Sequence, residues 1–259
     1  MAMDAEFYSR VAERFGGYFS DAQSTDVFAD GRPDAVFDEL VIALGEPDAR
    51  LLDVGCADGR SVLRTAGAYG AVTGIDLSPS MLECAARYRA EAGLSHVTFE
   101  LCDAADTGLP DGYADVVTSR RGPLIAREFE RLLRPGGALV YMGIGEQDAR
   151  ELKETFSRGQ DFDSWRGTPL SATVGRELSD AGLVVTMDRA FRFEEFYHSA
   201  GDLDVFLHQV PIIEDYDSAA DKLAFDRYVA AATVDQGIRL GRHWFIVQAR
   251  KPAAEPSHS

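Results

Sequence analysis

The sequence predicts an α/β fold, a doubly wound and mostly parallel sheet with helices on both faces, and three observations carry that prediction. Short apolar runs at 50–54, 71–76, 96–102, 114–119 and 138–143 alternate with helix-like segments, the order that builds a parallel sheet. The run Leu51-Leu52-Asp53-Val54 ends by breaking into Gly55-Cys56-Ala57-Asp58-Gly59, whose glycines allow backbone conformations and close approaches that a β-carbon blocks. A second acid, Asp76, lies 23 residues after Asp53 and ends the run Ala71-Val72-Thr73-Gly74-Ile75, where a carboxylate can accept ribose hydroxyls.

The elements follow in order. Phe7, Val11 and Phe15 recur at helical spacing, with Tyr8 and Tyr18 alongside, so the first thirty residues read as an amphipathic helix and a polar turn at 21–24. Pro33 opens a helix whose apolar face is Val36, Phe37, Leu40, Val41 and Leu44, and Gly45 ends it. Ser78-Pro79 caps the helix after the 71–76 strand, and residues 124–133 form the helix after the 114–119 strand. A helix near 171–181 stops at Gly182, a strand near 184–196 follows, and residues 244–250 make the closing strand. Between them, 197–243 holds two helix-like segments, about 201–209 and 218–233, split by Pro211 and the acidic turn 214–217. Residues 252–259 are polar and proline-containing, composition that suits a disordered tail.

The glycine spacing selects among nucleotide ligands. A dinucleotide turn reads G-x-G-x-x-G and aims a helix amino terminus at a pyrophosphate. Here Asp53-x-Gly55-x-Ala57-x-Gly59 sets an acid two residues before the first glycine. That carboxylate suits an ammonium group and repels a pyrophosphate, which points to S-adenosylmethionine.

With these motifs the chain resembles a class I S-adenosylmethionine-dependent methyltransferase. The resemblance covers roughly 33–143: residues 51–59 resemble the first motif, 72–82 the ribose motif, 101–106 the adenine motif, and Leu132-Leu133-Arg134-Pro135-Gly136-Gly137 the turn before the fifth strand. Ala57 departs from it, standing where the middle glycine is usual. The resemblance implies a Rossmann-like, seven-stranded, mostly parallel sheet with a helical insertion before the last strand. It divides the chain into a helical lid (1–30), a methyltransferase core (31–196 and 244–251), a helical insertion as candidate substrate cap (197–243) and a tail (252–259). It also implies the cofactor set: Asp53 at the amino group, the backbone of Gly55, Cys56, Ala57 and Gly59 under the methionine part, Asp76 on the ribose with Leu77 beside the adenine, and Asp103 and Ala104 at the adenine amine. Met81 and Leu109 would close the adenine slot, and Ser119 would stand at the end of the fourth core strand. S-adenosylhomocysteine is the implied product.

Methyl transfer needs alignment and desolvation, and a base only where the acceptor must lose a proton. Arg120 and Arg121 precede Gly122-Pro123 where this fold faces the reacting carbon, and could clamp a carboxylate or phosphate; pairing with surface acids is the alternative. His243 and His208 are the candidate proton acceptors, Glu146 is similarly placed, and Trp165 and Arg166 lie in a loop, 159–169, able to act as a lid.

Bulk composition narrows the partners. Against 43 acids stand 26 Lys and Arg, and the net charge of −17 repels polyphosphates, which disfavours nucleic acid. An Asn/Asp-Pro-Pro-aromatic motif, which base-methylating enzymes often carry, is absent after the fourth strand. No apolar run reaches membrane-spanning length, the amino terminus lacks the features of a secretion signal, and the three cysteines have no metal-ligand spacing. The expectation is a cytoplasmic, metal-free methyltransferase, monomer or homodimer, acting on a small-molecule acceptor that includes anionic ones. An RNA or protein methyltransferase and a non-methylating or purely binding user of the same pocket stay open as alternatives.

Overall fold

A computed structural model of the protein describes residues 20–162 and 167–254. Among them, nine strands and eight α-helices follow one another as β1 (Ser24–Phe28), α1 (Pro33–Ala43), β2 (Arg50–Val54), α2 (Arg60–Thr65), β3 (Ala71–Asp76), α3 (Pro79–Ala92), β4 (Val97–Leu101), β5 (Ala114–Arg120), α4 (Ala126–Leu132), β6 (Leu133–Ile144), α5 (Arg150–Phe156), α6 (Leu170–Asp180), β7 (Val184–Tyr197), α7 (Ala200–Gln209), α8 (Lys222–Ala232), β8 (Thr233–Val234) and β9 (Gly237–Arg250). The strands form one sheet in the order β1-β7-β9-β6-β5-β2-β3-β4, with β8 paired to β9. Strands β2 to β6 pair in parallel, and β7 and β9 join antiparallel.

Parallel strands covered on both faces must be apolar on both, and β2 is the clearest case. Leu51 faces one apolar cluster with Phe37, Val41, Val72 and Val116, and Leu52 faces the other with Ile75, Val117, Phe129 and Leu139. Each fully buried leucine contributes about 2 kcal/mol of transfer free energy. Local signals set the helix ends: Pro33 opens α1, and Ser78 caps α3 by accepting the Met81 amide at 3.3 Å.

The α/β class and the mostly parallel sheet stand as expected, with nine strands instead of seven. The first extra strand is β1, which follows the amino-terminal turn and pairs with β7 along Ser24↔Tyr197 to Phe28↔Phe193. The amino-terminal helix, with Tyr8 and Tyr18, lies outside the described residues, as do Trp165, Arg166 and 255–259 of the tail. The second extra strand is the two-residue β8. The turn expected at 134–137 is absorbed into β6 as a bulge, where pairing with β5 shifts between Ala114 and Val116.

The closing strand starts at Gly237, seven residues earlier than the reading from residue 244. Ile144, the last residue of β6, pairs with Trp244, so the β9 residues 237–243 run on beyond the sheet edge beside β7. At ~3.3 Å per residue this makes an arm about 20 Å long. The arm's far end carries the third apolar cluster, where Tyr197, Ile238 and Leu240 meet Leu152 and Phe156 of α5, Leu203, Phe206 and Leu207 of α7, and Tyr228 of α8.

Candidate active site

The carboxyl ends of β2, β3 and β4 lie side by side in the sheet, and each brings an acid to the same edge. Asp53 is 5% exposed, and its Oδ1 accepts the Thr118 hydroxyl at 2.6 Å. Burial pushes its pKa up to about 6, against the Thr118 hydrogen bond and the charge of Arg120. Asp76 accepts the amide of Ala57 at 2.8 Å on one oxygen and that of Ser78 at 2.9 Å on the other. Burial raises its pKa too, opposed by the amides of Ser78, Ala57 and Leu77. Asp103 is exposed, and its Oδ1 takes the Ala105 amide at 2.8 Å.

The turn between these acids is left-handed at three positions: Gly55 (φ 73), Ala57 (φ 48) and Gly59 (φ 75). The conformation of Ala57 gives the physical reason that a glycine suits this position, and its methyl group costs on the order of 1 kcal/mol there. A β-carbon on Gly59 would lie 2.5 Å from Phe99 Cζ, and one on Gly55 would lie 3.0 Å from Pro123 Cδ. The turn is therefore wedged between β4 and the segment after β5.

Leu77 is 48% exposed beside Asp76, while Ala104 and Leu109 are half-buried against the second cluster with Cys102. An exposed apolar side chain between two acids suits a nucleoside, and the Asp53 carboxylate beneath the turn suits an ammonium. This donor set fits S-adenosylmethionine: acceptors stand where hydroxyls, an amine and a cation need them, and a pyrophosphate would meet carboxylates.

Other sequence candidates stand elsewhere. Met81 is completely buried on the inner side of α3. The Cys56 side chain is buried, leaving only its backbone to the turn. Ser119 is buried, and its hydroxyl donates to the Pro123 carbonyl at 2.9 Å, fixing the Gly122-Pro123 loop.

The two arginines separate. Arg120 pairs with Asp34 and Asp38 of α1 and donates to the Ser61 hydroxyl, so it ties β5 to α1 and α2. Arg121 adopts φ 56, its amide donates to Met142 at 2.7 Å, and its guanidinium carbon lies 4.5 Å from the Trp244 ring centroid.

The histidines do not come together. His243 is buried, and its Nδ1 accepts the Gln147 amide at 3.3 Å, which puts the proton on Nε2. Burial lowers its pKa, against the nearby Glu146 carboxylate, whose Oε1 is 4.0 Å away. Glu146 itself takes the Leu170 amide at 3.2 Å, holding α6 to the loop after β6. His208 meets Ser218 at 2.8 Å and packs on Tyr216, both beyond its own helix α7 in the α7–α8 connection. A cavity of about 550 Å³ lies at the tip of the arm between His198, Val229 and Ile238, apart from all of these.

Three features escaped the sequence reading. Thr118 holds Asp53, and its signal was a hydroxyl inside an apolar strand. Trp244 forms the floor under Arg121, and its signal was an aromatic at the same edge. Arg242 is buried between Asp148 (2.9 Å) and Glu195 (2.8 Å). Burial pulls the Arg242 pKa down and the two carboxylates more than reverse it.

Known proteins are similar to parts of this chain. Residues 51–137 match the family model described as a methyltransferase domain. The chain is 38% identical over 107 residues to nocamycin O-methyltransferase of Saccharothrix syringae, a match covering 38% of each chain. It is 32% identical over 126 residues to the ribosomal protein L11 methyltransferase of Burkholderia mallei, covering 47% of this chain and 40% of that one. The chain thus spans about 40% of the length of these curated relatives. Among solved structures, the cyclase SpnF shares the fold at 23% identity with a TM-score of 0.61, over 96% of this chain and 93% of that one.

Proposed function

We propose that this chain, whose residues 51–137 match a methyltransferase domain, is a class I S-adenosylmethionine-dependent methyltransferase that transfers a methyl group to a small-molecule acceptor by in-line displacement. The observation that carries this reading is the row of Asp53, Asp76 and Asp103 on three adjacent strand ends around a left-handed turn. The cofactor, when bound, supplies a methyl group on a sulfonium. Asp53, with its second oxygen free of hydrogen bonds among the described residues, would hold the amino group. Asp76, pinned by two amides, keeps lone pairs for the ribose. Asp103 would take the adenine amine, with Leu77 under the ring. Ser119 and Met142 fix the segment after β5, so that the acceptor meets a rigid wall.

His243 and His208 are not proton acceptors in this reading: one lends its free nitrogen to a backbone amide, and the other is engaged beyond α7. The acceptor's nucleophile must then be ionised or carry its own lone pair. The nocamycin relative supports a small acceptor, and the cytoplasm suits three free cysteines. The L11 methyltransferase relatives favour a protein acceptor as a second reading. Release of S-adenosylhomocysteine with a pool of small acceptors, with L11 and with tRNA separates them: turnover with small acceptors alone is expected, and turnover with L11 or tRNA alone would overturn the small-molecule reading.

A further inference from the structure

We propose that Arg121 and Trp244 form the seat of a carboxylate on the acceptor, so that the protein acts on a small monoanionic acid. The acceptor's role rests on the methyltransferase reading above; the anion seat rests on its own geometry.

The sheet order reverses between β2 and β5: β3 and β4 extend to one side of β2, and β6 and β9 extend to the other side of β5. Ligands of open α/β sheets bind in the crevice at such a reversal, outside the carboxyl ends of the strands. Gly55 stands on one side of it and Arg121 on the other, and Gly122 and Pro123 pack directly on Gly55. The acids Asp53, Asp76 and Asp103 all lie on the β2 side. Arg121 lies at the base of the projecting arm, where the third wall is Trp244.

Charge changes sign across this crevice because the neighbouring arginines are already neutralised. Arg120 is paired with Asp34 and Asp38, and Arg242 with Asp148 and Glu195. Arg121 has no carboxylate or hydrogen-bond partner for its guanidinium among the described residues; one face of it lies on the indole. That leaves a planar fork of N–H donors, the shape that grips a carboxylate with two parallel bonds. The indole Nε1 of Trp244 is also buried without an acceptor among the described residues. The backbone holds the site still, since Arg121 is left-handed and its amide is bonded to Met142. The single Arg121 guanidinium matches one negative charge. A phosphate monoester brings nearly two at neutral pH, and the chain's net charge of −17 opposes the excess.

Formate is the test ligand, because it presents a carboxylate with no shape of its own. The Arg121 Nε–H resonance, assigned through Arg121→Lys, is followed during formate titration with and without S-adenosylhomocysteine, and the exposed Arg127 serves as internal reference. The expected result is saturation at Arg121 at about ten-fold lower formate than at Arg127, with no response to formamide and a parallel change in Trp244 fluorescence that Arg121→Ala abolishes. Equal responses at the two arginines, or an equal response to formamide, would overturn the seat. Saturation of Arg121 by inorganic phosphate below the formate range would overturn the carboxylate assignment. Calorimetry with S-adenosylhomocysteine runs beside it: Arg121→Ala should leave that affinity within about two-fold. Loss of binding in the unmodified protein would sink the methyltransferase reading while the formate result still decides the seat.

Discussion

Asp53 shows what the burial of one carboxyl costs in stability. Its carboxyl is buried beside Thr118 with a pKa raised from 3.8 to about 6. A carboxyl with a higher pKa folded than unfolded binds more protons when folded. Its contribution to stability is therefore full below 3.8 and is lost as the pH rises through about 6. At neutral pH the loss is at most ~3 kcal/mol. Asp53→Asn keeps an oxygen for Thr118 and removes the charge. Thermal unfolding at pH 7.5 should show a higher Tm for the variant, and the difference should vanish near pH 4. Affinity for S-adenosylhomocysteine should fall by about ten-fold or more, the value of a charged hydrogen bond. Gly59 gives the opposite case, since a β-carbon there meets Phe99 at 2.5 Å on a left-handed backbone. Gly59→Ala should cost about 2–3 kcal/mol in a denaturant titration, combining overpacking with backbone strain.

At the level of elements, the arm made by β1, β7 and β9 runs on past the carboxyl edge of the parallel strands. It joins the sheet through a seam: Trp244 belongs to the first apolar cluster, Leu240 to the third, and Arg242 lies between them on the same face. Asp148, from the loop after β6, takes the Arg242 Nε and also the amide of His243. Removing one partner from a buried charge network leaves the other unpaired. Asp148→Ala should therefore lower unfolding free energy by about 3–5 kcal/mol, with hydrogen exchange rising first in residues 237–243. This arm was the least legible part of the sequence. Residues 237–243 alternate Ile238, Leu240 and Arg242 with Arg239, Gly241 and His243, and the pattern is apolar only where a neighbouring element covers it. The core strands were legible because burial on both faces leaves near-continuous apolar runs such as 51–54, and because Pro33, Ser78 and Gly182 mark boundaries with local chemistry. Strand β1 is exposed along most of its length and carries no such signal.

Across the whole molecule, one edge of one sheet collects the chemistry. Acids gather on the β2–β3–β4 side and Arg121, without an ion-pair partner among the described residues, stands on the β5–β6–β9 side, with the left-handed turn between them. Asp53, Asp76 and Asp103 could be read from the sequence because a strand end fixes where the next side chain goes. The fates of Arg120 and Arg121 could not, since Arg120 ends β5 while Arg121 turns left-handed beyond it, and the two meet partners distant in sequence: Asp34 for one, Trp244 for the other. The hydrogen bond of His243 could not be read either, because the Gln147 amide that it accepts is 96 residues away. The central claim is that the acid row holds an adenosyl cofactor. Calorimetry of the protein with S-adenosylhomocysteine, and with NADH as control, tests it most directly when repeated on Asp76→Asn with its Tm recorded. The account predicts saturable binding of S-adenosylhomocysteine, none of NADH, and a loss of about ten-fold or more in the variant, measured below the variant's own Tm so that it is folded. Binding of NADH instead, no adenosyl binding, or equal affinity in the variant would contradict it.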